Sequence, residues 1–160
     1  MYALGAHAGR LRHAILALKY RHRSRAAYEL GVMLGGKLPR CCADVVAPVP
    51  LHASRRRVRG HNQAEDIAAG IAAALGVPLA CDALVRVRAT RAQSSLDRRQ
   101  RARNVAAAFC PASEQLALIG RHVLIVDDVL TSGATACACA QAARLCGASR
   151  VSVAAVALRL

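Results

Sequence analysis

Aromatic side chains are nearly missing from this chain: no Trp, one Phe and three Tyr among 160 residues. Base-stacking surfaces for single-stranded nucleic acid depend on such rings, so a stacking platform is poorly supplied. The core must be built from Ala, Val, Leu and Ile, which suit helices laid on parallel strands. Acids are scarce too, nine Asp and Glu against 23 Lys and Arg, for a formal net charge of +14. Lysine is limited to Lys19 and Lys37. The excess charge favours an anionic partner: nucleic acid, a phosphorylated metabolite or an acidic surface. Arginine bias beside abundant alanine is equally a mark of genome composition.

Other absences narrow the class. The seven cysteines, at 41, 42, 81, 110, 137, 139 and 146, form no CxxC pair. An odd number without paired spacing argues against a disulfide framework, and free thiols in a reducing cytoplasm are expected. Cys137 and Cys139, two apart on a helix, would not share a face, so no zinc site is expected. His7, Arg10, Arg12 and His13 break up the N-terminus, which does not read as a signal peptide. The longest charge-free runs, 67–81 and 129–143, fall short of the roughly 20 residues that span a bilayer. No membrane association is expected. Neither the P-loop nor the Rossmann glycine fingerprint occurs.

What is present reads as alternating helices and strands. Leu11, Ile15 and Leu18 predict an amphipathic helix over about 9–20, and a second helix covers 25–37. "DVVAPVP" at 44–50 predicts a short buried strand stopped by Pro48 and Pro50. Asn62, with Glu65 three residues later, starts a helix over 63–75 that closes at Gly76. "ALVRVR" at 83–88 predicts a half-exposed strand, and a short helix is expected near 96–103. A strand at 122–127, an Ala-rich helix at 134–145 stopped by Gly147, and a last strand at 150–158 complete an α/β sheet.

"VLIVDDVLTSGAT" at 123–135 places two adjacent acids after an aliphatic run. Ligands in open α/β sheets bind outside the carboxyl ends of strands, and the acids are expected at that edge. The small residues after them let backbone N–H groups approach a ligand. Gly133 permits a tight turn, and a helix N-terminus supplies free donors for a phosphate. Thr131, Ser132 and Thr135 add hydroxyls. Asp127 and Asp128 suit a vicinal diol, so acids and cradle together fit a sugar phosphate. A buried strand, a helix cap and one solvated acid would leave the same pattern.

All of 123–135 resembles the phosphoribosyl-pyrophosphate fingerprint of type I phosphoribosyltransferases. "LKY" at 18–20, "PVPLH" at 48–52, "RGHNQA" at 59–64, and Thr90, Gln93, Leu96, Arg101, Asn104 and Phe109 are similar to the ComF (competence protein F-like) family. The resemblance runs from about residue 10 to the end. It departs from the family in lacking the usual N-terminal cysteine-rich module. It implies one type I phosphoribosyltransferase-like domain over 1–160, a mostly parallel sheet flanked by helices. About 1–40 would contribute to a small hood and 41–160 would form the core.

The implied activity is phosphoribosyl transfer from phosphoribosyl pyrophosphate with Mg2+ in the cytoplasm. By the resemblance, Asp127 and Asp128 serve catalysis by holding the ribose hydroxyls, and Thr131, Ser132, Gly133, Ala134 and Thr135 hold the 5-phosphate. Val49, Pro50, Leu51, His52 and Arg59 would bind pyrophosphate, although 49–52 also reads as a Pro-bounded turn. Seven arginines lie between 86 and 103; they suit a loop closing over pyrophosphate, a solvated cationic face or a nucleic-acid groove. The alternative function is a non-catalytic ligand- or single-stranded-DNA-binding protein of DNA uptake. A homodimer is the remaining partner to consider.

Overall fold

The computed structural model describes residues 1–18, 24–87, 108–113 and 115–159. The described elements run β1 (Tyr2–Ala6), α1 (Gly9–Leu18), α2 (Ser24–Gly35), β2 (Val45–Pro48), α3 (Ala53–Arg59), α4 (Gln63–Leu75), β3 (Leu84–Arg86) and β4 (Phe109–Pro111). A 3-10 turn (Gln115–Leu118) leads to β5 (His122–Leu130), α5 (Ala134–Leu145) and β6 (Arg150–Leu158). The expected helix near 96–103 lies outside the described residues.

Four strands form one sheet in the order β1-β6-β5-β2. Every neighbouring pair in it is parallel. β3 and β4 make a separate antiparallel pair. The expected α/β sheet flanked by helices is therefore present. β1 was not anticipated. Residues 1–8 carry no clean alternation, and what makes them a strand is the exposed edge of β6 that they cover. Tyr2 lies opposite Ala154 and Ala6 opposite Leu158.

Both sheet faces are covered, which explains the aliphatic strands. On β5, Leu124 and Val126 pack with Ile15, Leu34, Ile67 and Ile71 of α1, α2 and α4. Val123 and Ile125 pack on the other face with Phe109, Leu118 and with Cys139 and Ala143 of α5. Cys137 is exposed while Cys139 is buried, as expected for two positions apart on a helix.

α4 begins and ends where its sequence signals lie. The Asn62 side chain accepts from the Ala64 N–H, and Gly76 closes α4 with φ 70°. Lacking a β-carbon, Gly31 and Gly70 let α2 and α4 touch backbone to backbone. Among the described residues, no helix is long and apolar enough to cross a membrane.

Candidate functional site

β5 has β6 and β2 as its neighbours, and Val123 through Val126 are buried. Its length corrects the reading at 122–127: the strand continues to Leu130, paired to Leu158 of β6. The acids were expected at the strand's carboxyl edge, with Asp127 its last residue, because two charged side chains rarely sit inside a buried strand. They are accommodated because β2 stops there. Pro48 is opposite Val126, and the last hydrogen bond across that edge runs from Val49 N–H to the Val126 carbonyl, 2.8 Å.

Past Val126 the acids serve the backbone as well. Asp127 Oδ1 accepts from the Asp128 N–H at 2.8 Å, and Asp128 Oδ1 accepts from the Val129 N–H at 2.7 Å. The face alternation of β5 also slips here. Val129 packs with the α1, α2 and α4 layer, whereas Leu130 packs with Ala136 and Ala155. Asp127 continues the α5 face. Its charge acts on the Cys139 thiol, which burial pushes well up in pKa and Asp127 pushes further.

Thr131, Ser132 and Gly133 make the turn, and α5 starts at Ala134, so Ala134 and Thr135 belong to the first helical turn rather than to a loop. Gly133 is the N-cap at φ 72°, a left-handed conformation that glycine adopts without strain. No side chain caps this helix, so its first N–H groups have no side-chain acceptor, the arrangement an anion-binding helix start uses. Thr131 is exposed, and Ser132 and Thr135 are half-buried.

The segment 49–52 comes off the end of β2, directly beside β5. Topology thus brings Val49, Pro50, Leu51 and His52 to the same carboxyl edge as the acids. Val49 is 5% exposed, and its carbonyl accepts from Asn62 Nδ2 at 3.1 Å. Its contribution is backbone, not side chain. His52 caps α3: its Nδ1 accepts from the Ser54 N–H at 3.2 Å. Residues 53–59, an arginine-rich stretch with no predicted element, form that helix. Arg59 ends it; its side chain lies outside the described atoms. Arg56 pairs with Glu65 at 3.2 Å.

Two site-forming residues escape a reading of the sequence. Asn62 reads as a helix cap alone, yet at 2% exposure it also ties Val49 to Glu65 of α4. Arg86 reads as part of an exposed basic face; in the structure it is buried over the ring of Phe109. The alternation in "ALVRVR" allows either set to face inward, and only its packing partner decides.

Asn62 supports a stability prediction. Asn62→Ala removes the cap, about 1 kcal/mol, and leaves the buried Val49 carbonyl without its donor, about 1 kcal/mol or more. The ligand-free melting temperature should fall by roughly 4–8 °C in a domain of this size. An unchanged melting temperature would show that neither bond matters.

These features define an α/β protein with paired acids and an uncapped helix N-terminus at the carboxyl edge of a parallel sheet. A family model, the phosphoribosyl transferase domain, matches residues 62–160, and the chain belongs to that family. The chain is 35% identical over 147 residues to the DNA utilization protein YhgH of Salmonella typhimurium, covering 85% of this chain and 62% of that protein. It is 34% identical over 99 residues to Competence protein F of Haemophilus influenzae, covering 62% and 42% respectively. The chain thus spans 62% of the length of the first of these relatives. Both relatives fit the competence-type resemblance of its motifs. Among solved structures, glutamine phosphoribosylpyrophosphate amidotransferase from B. subtilis, complexed with ADP and GMP, shares the fold. Its TM-score is 0.55 at 23% identity, over 81% of this chain and 26% of that one.

Proposed function

We propose that the chain binds phosphoribosyl pyrophosphate with Mg2+ and transfers the phosphoribosyl group to an acceptor. The observation that carries this reading is one shared edge. The acid pair, the uncapped α5 N-terminus and the 49–52 segment meet where β2 ends and β5 continues. The ribose 2- and 3-hydroxyls would donate to Asp127 and Asp128. The 5-phosphate would accept from the N–H groups and hydroxyls of 131–135. Pyrophosphate would lie along 49–52, with Arg59 and the arginines of 88–103 as countercharge. Among the described residues no cluster of three or more His, Cys, Asp or Glu is placed to hold a metal. Magnesium would therefore arrive on the pyrophosphate oxygens as part of the substrate, a common habit of this ion.

Departure of pyrophosphate leaves an oxocarbenium-like ribosyl centre. The chain's work is to hold the ribose and to stabilise the departing charge. No general base is assigned. We place this activity in the cytoplasm, where thiols stay reduced.

Thermal stabilisation tests the reading. A ligand that binds only the native state contributes RT ln(1 + [L]/Kd), about 2.7 kcal/mol at one hundred times Kd. At roughly 2–4 °C per kcal/mol, Mg2+ with phosphoribosyl pyrophosphate should raise the melting temperature by about 5–10 °C. An equal rise with Mg2+ and inorganic pyrophosphate alone would reduce the site to a phosphate-collecting surface.

A second reading, single-stranded DNA binding in DNA uptake, is favoured by the +14 charge and by the names of the relatives, a DNA utilization protein and a competence protein. A salt series separates the two. Binding that neutralises many phosphates weakens steeply with salt, whereas binding of one sugar phosphate involves few phosphates and changes less.

A further inference from the structure

The first turn of α4 holds residues 49–56 at both ends. At the near end, the Val49 N–H donates to the Val126 carbonyl of β5 at 2.8 Å. The Val49 carbonyl accepts from Asn62 Nδ2 at 3.1 Å. At the far end, Arg56 of α3 donates from Nη2 to Glu65 Oε2 at 3.2 Å. Asn62 Nδ2 also donates to the other oxygen of that carboxylate, Glu65 Oε1, at 3.1 Å. The hydrogen bonds therefore run without a break from Val49 through Asn62 and Glu65 to Arg56. A capping-box glutamate ordinarily reaches back to the backbone N–H of the cap residue. Glu65 stands at that position, and its carboxylate meets the cap's side chain.

The consequences fall on the backbone between the two ends. The Val49 carbonyl shares a rigid peptide plane with the Pro50 nitrogen. Pro50 has no N–H and holds its φ at about −65°. With that plane fixed and that angle locked, ψ of Pro50 alone decides where the Leu51 N–H points. Burial weights the two ends unequally. Asn62 is 2% exposed, so a carbonyl left unmet beside it is costly. The Arg56 and Glu65 side chains are 55% and 22% exposed, and such pairs contribute less.

We propose that Asn62 and Glu65 are positioning residues for the pyrophosphate segment: their hydrogen bonds brace 49–56 so that the Leu51 and His52 N–H groups face the leaving group. This rests on the reading of 49–52 as the place where pyrophosphate lies. It also assigns Arg56 to the brace rather than to the countercharge.

Two ligands isolate the segment, because phosphoribosyl pyrophosphate and ribose 5-phosphate differ only in the pyrophosphate at the anomeric carbon. Calorimetry on the full chain with Mg2+ gives the ratio of their affinities. Wild type should prefer phosphoribosyl pyrophosphate. Equal affinities would overturn the reading of 49–52, and the proposal with it. With that preference present, Asn62→Ser should cut the ratio about tenfold, the loss of one hydrogen bond to a buried carbonyl. Serine keeps the helix cap and removes the donor. Ribose 5-phosphate affinity should not change. Glu65→Gln should cut the ratio about threefold. Charge alone predicts the opposite, since removal of an acid favours an anion. Gln63→Ala is the control. Gln63 is equally buried on the same turn, but donates to the Leu18 carbonyl at 3.4 Å. Its loss should lower the melting temperature and leave the ratio unchanged.

Three outcomes overturn the proposal while leaving the pyrophosphate reading intact. One is a wild-type ratio in Asn62→Ser. Another is equal weakening of both ligands, or an equal fall of the ratio in Gln63→Ala, the mark of general damage at the start of α4. The third is a ratio at or above wild type in Glu65→Gln, which would make Arg56 a countercharge that Glu65 holds back. Should Asn62→Ser fold poorly, Glu65→Gln carries the test, because glutamine still offers Asn62 an acceptor.

Discussion

Replacing Asp127 and Asp128 together by asparagine should abolish stabilisation by Mg2+ and phosphoribosyl pyrophosphate. Each carboxylate is assigned one charge-assisted hydrogen bond to a ribose hydroxyl, and such bonds contribute about 1.5–3 kcal/mol each. Loss of both corresponds to roughly 10²–10⁴-fold weaker binding. Under conditions where wild type gains about 5–10 °C, the variant should gain about nothing. Asparagine keeps an Oδ1 acceptor for the Asp128 and Val129 amides, so the local backbone should persist. Two fewer acids on a chain of net charge +14 also add self-repulsion, so its ligand-free melting temperature should fall. The decisive quantity is therefore the ligand-induced increment, not the absolute temperature. Binding to long polyanions should be retained or slightly strengthened, because two negative charges leave a chain of net charge +14. Equal increments in wild type and variant would mean that the acids serve the fold alone.

The largest stability loss should come from Gly70→Ala, one methyl group far from the site. Alanine is the better helix former by about 1 kcal/mol, so propensity alone predicts stabilisation. Packing predicts the reverse. A β-carbon at Gly70 would collide with the Tyr28 carbonyl oxygen and lie 2.7 Å from the Val32 nitrogen and 3.0 Å from the Gly31 carbonyl carbon. These are backbone atoms of α2 and cannot rotate away. The two helices must separate, which opens the layer holding Ala27, Leu34, Ile67 and Ile71. Overpacking typically costs 1–3 kcal/mol and occasionally more. With three rigid backbone atoms of α2 against the new methyl group, about 3 kcal/mol net is expected, a fall of roughly 6–12 °C. A melting temperature at or above wild type would show that α2 and α4 do not meet in this way. Gly36→Ala is the control: its nearest neighbour atom is at 3.4 Å, an ordinary contact.

The sequence by itself determined every element whose signal is local. α4 begins at Asn62 and ends at Gly76 because one side chain accepts an N–H and one residue turns left-handed. α5 and β6 occupy their predicted ranges, 134–145 and 150–158, because a stop at Gly147 separates an Ala-rich run from an alternating one. The acid pair with its small-residue turn was legible for the same reason: backbone access and charge are written into consecutive residues.

Tertiary structure decided what depends on a partner distant in sequence. β1 exists because β6 has an edge to cover. β5 runs past its acids because β6 pairs with it to Leu130 while β2 stops at Pro48. Gly31 and Gly70 are ordinary weak helix residues until two backbones meet there. Arg86 faces inward because the Phe109 ring lies on that side of β3. Alternation in a strand defines two faces but not which is buried. That choice belongs to whichever face finds the better combination of apolar contact and opposite charge, and those neighbours are brought together only by the fold.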